Sequence, residues 1–313
     1  MCLHIMAIVI INPKGVRPWI TALKKIDPGL DIRTFPNDTH REEVGFALSW
    51  RHPYGIFKDY PNLKCISSMG AGADHLLRDP ELPPHVPIVR LVDPYLAQDM
   101  AEFVLALIMN HLRDLNAYKI KQLKSIWKPS GYLRIKEVRV GIMGVGAIGK
   151  TVATGLQKAG FNVIGWARTD REEPGMDIYH GQKGLPRFLS QTDILISILP
   201  LTPQTKGILN KKTLGLLPKH AFVINVGRGE QIVEEDLLQF ISEGHLSGAS
   251  LDVFSEEPLP KTSKLWGHPR VNITPHIASL TNPASVAPQI VENYHRMKEG
   301  KPLLNTVSRQ RGY

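Results

Sequence analysis

A chain of 313 residues, 42% hydrophobic and 21% charged, has an ordinary globular composition and is long enough for about two domains with separate cores. The net charge of +9 comes from short basic clusters, Lys24-Lys25, Lys119 to Lys128, Lys211-Lys212 and Arg309 to Arg311, with no interleaved aromatic stripe. That pattern fits a solvated surface attractive to anions and argues against a nucleic-acid partner. Two cysteines, Cys2 and Cys65, make neither a disulfide framework nor a metal-ligand spacing, so no metal is expected and a reducing, cytoplasmic setting is the simplest inference.

The first apolar stretch, Ile5 to Ile11, is too short to span a membrane and reads as a strand, so no membrane partner is expected. Residues 7–11, 44–49, 64–67 and 86–89 have the β-branched, turn-bounded character of strands. Ala101, Val104, Leu105, Ile108 and Leu112 then fall on one face of a long helix over about 97–112, suited to joining two domains or packing against a second copy in a homodimer. From Val138 the pattern alternates regularly. Strands are expected at 138–143, 162–166, 193–199, 221–226, 249–254 and 271–274, and helices at 147–159, 234–243 and 284–299, the last ending at Gly300. Such alternation calls for an α/β fold of two Rossmann-like domains, each a parallel sheet with helices on both faces. A dinucleotide-binding domain over 99–284 would be inserted into a discontinuous substrate-binding domain made of 1–98 and 285–313.

Gly144, Gly146 and Gly149 match G-x-G-x-x-G between a strand and a helix, with a second strand about twenty residues on. The first glycine makes the turn, the second admits a pyrophosphate to the backbone, and the third lets helix and strand pack closely; the helix N-terminus then faces the phosphates. The second strand runs into Trp166-Ala167-Arg168-Thr169, with Arg171 close behind. Ala167 stands where an acid would accept from the ribose 2′-hydroxyl of NAD, while Arg168 and Arg171 are able to pair with a 2′-phosphate. NADP(H) is therefore the preferred cofactor and NAD(H) a possible one; in the competing reading both arginines are solvated and Asp170 contacts the ribose.

Three polar residues, Arg228, Glu257 and His276, each lie just past a buried-strand pattern, and in a parallel sheet such ends face one crevice. A small 2-oxo acid awaiting reduction requires a cation for its carboxylate and a proton donor for its carbonyl oxygen. Arg228, between two glycines, supplies the first by bidentate contact. His276 supplies the second, and a carboxylate beside it, Glu257, favours the imidazolium form.

The blocks Asn225-Val-Gly-Arg-Gly229, Leu251-Asp-Val-Phe-Ser-Glu-Glu-Pro-Leu-Pro260 and Thr274-Pro-His-Ile-Ala278 resemble the D-isomer-specific 2-hydroxyacid dehydrogenases. The resemblance also takes in Gly70-Ala-Gly-Ala-Asp74, the glycine motif and Ile198-Leu-Pro-Leu-Thr-Pro203, and so covers nearly the whole chain. Trp50-Arg-His-Pro53 and Arg311-Gly-Tyr313 are most like the bacterial branch that reduces glyoxylate and hydroxypyruvate with NADPH. The resemblance implies that Arg228 orients the substrate, that His276 is the acid/base held by Glu257, and that the Ala71 and Gly72 amides share the substrate carboxylate with Arg228. It further implies a cofactor site drawn from Gly144, Gly146, Ala147, Ile148, Gly149, Arg168, Thr169, Arg171, Leu199, Pro200, Thr205, Val226, Gly227, Asp252 and Ser279, with Asp252 near the nicotinamide carboxamide. It also implies a homodimer and a cleft that closes on the substrate. Trp50 and Met69 are candidate pocket walls. Two rivals fit much of the same pattern: a dehydrogenase for a bulkier 2-oxo acid such as phenylpyruvate, and a dinucleotide-sensing corepressor without catalysis.

Overall fold

The computed structural model describes residues 6–13, 15–310 and 312; Cys2, and Arg311 and Tyr313 of the terminal motif, lie outside the described residues. The chain divides into two compact units, residues 1–95 with 281–313 and residues 96–280.

In the first unit the strands are β1 (Ala7–Ile11), β2 (Ile32–Thr34), β3 (Val44–Ser49), β4 (Cys65–Ser68) and β5 (Ile88–Val89), all parallel, in the order β2-β1-β3-β4-β5. Burial on both faces explains why β1 and β3 read as unbroken apolar runs. Along β1, Ile8 and Ile10 join Trp19 and Leu23 of α1 (Arg17–Ile26) on one face, while Ala7, Val9 and Ile11 join Phe57, Tyr60 and Leu76 on the other. The short helix α2 (Asp74–Leu77) follows the Gly70–Asp74 loop. The strand β2 and the helix α1 escape the sequence reading because each is short and carries polar residues.

The second unit contains α3 (Pro94–Arg113, whose first two residues belong to the first unit), α4 (Leu115–Leu123), β6 (Arg139–Met143), α5 (Ala147–Lys158), β7 (Asn162–Ala167), β8 (Asp177–His180), α6 (Gly181–Leu189), β9 (Ile194–Ser197), α7 (Lys211–Leu214), β10 (Ala221–Asn225), α8 (Glu234–Ser242), β11 (Leu246–Leu251) and β12 (Val271–Ile273). Its seven parallel strands follow the order β12-β11-β10-β9-β6-β7-β8, so the winding reverses between β6 and β9. This is the doubly wound order, whose switch point is a ligand crevice. Helix α9 (Pro283–Glu299) completes the first unit; Asn282 caps it by accepting from the Ala284 N–H at 2.9 Å, and Gly300 ends it in the left-handed region.

Two expectations change. Strand β11 begins three residues earlier than its apolar run suggested and stops at Leu251, which leaves Asp252, Val253 and Phe254 in the loop beyond it. The apolar face of α3 is also used within its own unit: Ala101, Val104, Ile108 and Leu112 pack against Val140, Ile142, Val152 and Phe222. Periodicity announces a buried face and does not say what buries it; the core of its own unit accounts for the burial of these four residues. The surface left open lies just after it. Leu123, Ile126, Trp127 and Tyr132 are exposed, Trp127 completely. Among the described residues no helix is long and apolar enough to cross a membrane.

At the far end of α3, His111 stacks on Phe222 with ring centroids 3.9 Å apart, and burial pushes its imidazole down to about 4. The folded ring stays neutral where the unfolded one, ordinarily titrating near about 6.5, takes up a proton. Stability should therefore be intact above about pH 6.5 and fall as the pH drops toward 4, by up to about 3 kcal/mol from this group. Urea unfolding of His111→Phe across that window, which keeps an aromatic ring beside Phe222, should show a shallower loss than the parent protein.

Candidate active site

The loops that follow β6, β9, β10, β11 and β12 all leave the same edge of the second unit's sheet, because every strand is parallel. At the switch point Gly144 adopts φ +105, and a Cβ there would come within 2.8 Å of the Ile198 carbonyl oxygen. A Cβ on Gly149 would lie 2.0 Å from the Gly144 oxygen, so the first turn of α5 packs directly on the loop before it. A Cβ on Gly146 would meet nothing within 4 Å. The middle glycine thus faces open space at a helix N-terminus, which is where a pyrophosphate needs to approach. Ala147 and Ile148 continue from it as the first turn of α5.

Past β7, buried Ala167 is followed by exposed Arg168 and Thr169. Arg171 turns back to donate from Nη1 to the Val145 carbonyl inside the glycine loop, so it also braces the phosphate cradle. Asp170 Oδ1 lies 3.3 Å from His180 Nδ1, with both side chains exposed. Two other expected cofactor contacts use their hydroxyls locally: Thr205 Oγ1 donates to the Pro200 oxygen at 2.7 Å, and Ser279 Oγ to the Leu96 oxygen at 2.8 Å. Leu199 and Val226 are buried at the ends of β9 and β10.

Glu257 and His276 meet directly. His276 Nδ1 lies 2.9 Å from Glu257 Oε2 and 3.1 Å from Oε1, which orients the ring and leaves Nε2 as its other polar atom. The His276 side chain keeps 35% of its surface exposed, so the ring is seated but accessible. Its backbone sits at φ +55, an unfavourable region for a residue with a side chain. Asp252 holds it there. Fully buried, its carboxylate accepts from Thr274 Oγ1 at 2.6 Å and from the Ile277 and Ala278 N–H groups at 2.9 Å each, while its main-chain oxygen accepts from the His276 N–H at 2.9 Å.

Arg228 follows β10 by three residues, with Nη1 donating to the Gly227 oxygen at 2.7 Å. The next residue, Gly229, packs so closely on Phe254 that a Cβ would sit 1.9 Å from the Phe254 carbonyl carbon. The Phe254 N–H in turn donates to Glu257 Oε1 at 3.2 Å. The Arg228 turn, the Glu257 loop and the His276 loop are therefore joined by consecutive contacts. Two buried amides that sequence reasoning passed over, Asn225 and Gln231, hydrogen-bond the backbone of that turn. The only signal for them was a polar residue inside or beside an apolar run.

Ala71 and Gly72 belong to the first unit, where Ser68 Oγ accepts from the Gly70 N–H at 3.2 Å and donates to the Gly72 oxygen at 2.6 Å. Trp50 packs against His75 with ring centroids 4.5 Å apart and the ring planes tilted by 51°. Met69 is buried in the core cluster that contains Ile8 and Leu48.

A doubly wound sheet with a glycine cradle at its switch point and an acid–imidazole pair beyond neighbouring strand ends defines a dinucleotide-dependent oxidoreductase. The comparisons make this specific. The NAD-binding-domain model of the D-isomer specific 2-hydroxyacid dehydrogenases matches residues 105–278, and the chain belongs to that family. It is 38% identical to glyoxylate/hydroxypyruvate reductase A of Klebsiella pneumoniae subsp. pneumoniae, over 98% of this chain and 100% of that one. Among solved structures it is similar to a D-isomer specific 2-hydroxyacid dehydrogenase of Xanthobacter autotrophicus Py2 in complex with NADPH and MES, with TM-score 0.94, 40% identity and coverage of 98% and 99% of the two chains. An NADPH-dependent glyoxylate/hydroxypyruvate reductase of Sinorhizobium meliloti, in complex with NADP and sulfate, aligns with TM-score 0.92 and 35% identity over 98% of this chain and 100% of that one.

Because Gly146 faces open space, Gly146→Val should leave the melting temperature nearly unchanged but weaken NADPH binding at least about tenfold. In fluorescence titrations with each cofactor, Arg168→Ala should weaken NADPH and spare NADH; equal losses for both cofactors would remove Arg168 from 2′-phosphate recognition.

Proposed function

We propose that this protein reduces glyoxylate and hydroxypyruvate to glycolate and D-glycerate with NADPH. The observation that carries the reading is the His276–Glu257 pair, with Nδ1 engaged at 2.9 Å and Nε2 left for a substrate, in a family whose members act on 2-hydroxy acids. NADPH, when bound in the Gly144–Gly149 cradle, supplies the hydride. Arg228 holds the substrate carboxylate. His276 Nε2 gives its proton to the carbonyl oxygen as hydride reaches the carbon, and Glu257 holds the imidazolium in place. Arg168, with Ala167 in place of an acid, accounts for a preference for the 2′-phosphate, and NADH remains a weaker alternative. The named relatives, reductases of glyoxylate and hydroxypyruvate, support small substrates over bulky ones.

His276→Ala should lower kcat at least about a hundredfold while NADPH still binds. The same assay on the parent protein, run over glyoxylate, hydroxypyruvate and phenylpyruvate, should give the highest kcat/KM for one of the two small acids. Retained turnover in His276→Ala, or a preference for phenylpyruvate, would overturn the reading.

We also infer a cytoplasmic homodimer. Its interface is drawn from α4 and the segment after it, where Leu115, Ile120, Leu123, Ile126, Trp127 and Leu133 leave apolar surface to solvent. Exposed aromatic surface of this kind is costly unless covered. Trp127→Glu should convert a dimer to a monomer in sedimentation equilibrium, and a parent protein that is already monomeric would refute the assignment.

A further inference from the structure

Gln231 is an unusual residue for its place. It is wholly buried at the end of the short 3₁₀ turn Gly229–Gln231, where an apolar side chain would remove every cost of burying an amide. Its amide is nonetheless fully used. Oε1 accepts from Ser197 Oγ at 2.8 Å and from the Arg228 N–H at 3.3 Å, and Nε2 donates to the Leu199 oxygen at 2.7 Å with a longer contact to the Pro200 oxygen at 3.4 Å. Two donors meet the oxygen and two carbonyls meet the nitrogen, so the partners themselves fix which way the amide points. Asn225 completes the arrangement from the other side, accepting from the Gly227 N–H at 3.1 Å and donating to the Arg228 oxygen at 2.9 Å. The Arg228 main chain is thus held at its N–H by one buried amide and at its C=O by another.

We propose that Gln231 is a positioning residue for the reaction: it locks the backbone of Arg228 to the Leu199–Pro200 loop at the end of β9, so that the substrate-binding guanidinium and the cofactor-side loop move as one piece. The proposal rests on the role given to Arg228 above. Both ends of the bridge lie in the second unit, within three residues of the ends of β9 and β10. Only a side chain of this length with both a donor and an acceptor satisfies Ser197, Arg228 and Leu199 together. A hydrocarbon of equal size fills the volume but leaves the Leu199 oxygen and the Arg228 N–H without this partner, freeing the turn to shift. A shift of about 1 Å in a substrate-orienting group is enough to cost of the order of a hundredfold in rate.

The test is a double-mutant cycle between Gln231→Met and Arg228→Lys, read as kcat/KM for glyoxylate at saturating NADPH. Gln231→Met should lose at least about tenfold, mostly as a raised KM for glyoxylate, with the circular dichroism spectrum unchanged. The double variant should be no worse than Arg228→Lys alone within about threefold, because the amide acts through the arginine. Losses that multiply, or a Gln231→Met enzyme equal to the parent, overturn the proposal. Parental activity in Arg228→Lys and Arg228→Met removes the role of Arg228 itself, a failure distinguishable from the first. If Gln231→Met does not fold, Ser197→Ala takes its place in the cycle; it removes one partner of the amide oxygen and should show a smaller loss in the same KM, again without adding to Arg228→Lys.

Discussion

The buried carboxylate of Asp252 is the interaction on which the proposed chemistry depends. A carboxylate withdrawn from water costs several kcal/mol unless its lone pairs are taken up, and here two backbone N–H groups and a threonine hydroxyl take them up. All three donors come from residues 274–278, so satisfying Asp252 shapes the loop that carries His276. The left-handed backbone at His276 is sustained by this arrangement, and from it the ring reaches Glu257. The role first expected for Asp252, a contact to the nicotinamide carboxamide, is compatible with this one, but the observed bonds make it first of all the support of the histidine.

A second constraint is the absence of a side chain at Gly229. The β10 loop packs its backbone against Phe254, one step from the loop that presents Glu257. With no Cβ between them, the strand-end loops are spaced by backbone contact, which has little freedom to relax. Asn225 and Gln231 add directional bonds to the same turn. A proton donor and a carboxylate-binding cation must keep their separation through a catalytic cycle, and a turn fixed by close packing and by buried amides meets that demand better than one fixed by a flexible ion pair.

The cofactor end is built differently. Arg168 and Thr169 are exposed past β7, while Arg171 is tied to the glycine loop. The cradle itself uses backbone and needs only the three glycines, so its chemistry is indifferent to which dinucleotide is bound. On the proposed function, discrimination falls to a few surface side chains at the next strand end, where Ala167 in place of an acid and the neighbouring Arg168 set the charge offered to the ribose.

The fold class and the three proposed catalytic residues are legible in the chain alone, because buried parallel strands leave uninterrupted apolar runs and because Arg228, Glu257 and His276 lie just past three of them. The glycine cradle is legible for a similar reason: each glycine is a local steric requirement written at a fixed spacing. What the chain does not disclose is what buries a given face or which polar side chains are satisfied by which. The periodic face of α3 looks the same whether its own core or a second copy covers it, and Gln231 looks like any polar residue until Ser197, Arg228 and Leu199 are seen around it. Periodicity and spacing are properties of neighbours in sequence, and so they survive in one dimension. The partners of a buried amide come from separate strand ends, and only the tertiary structure brings them together.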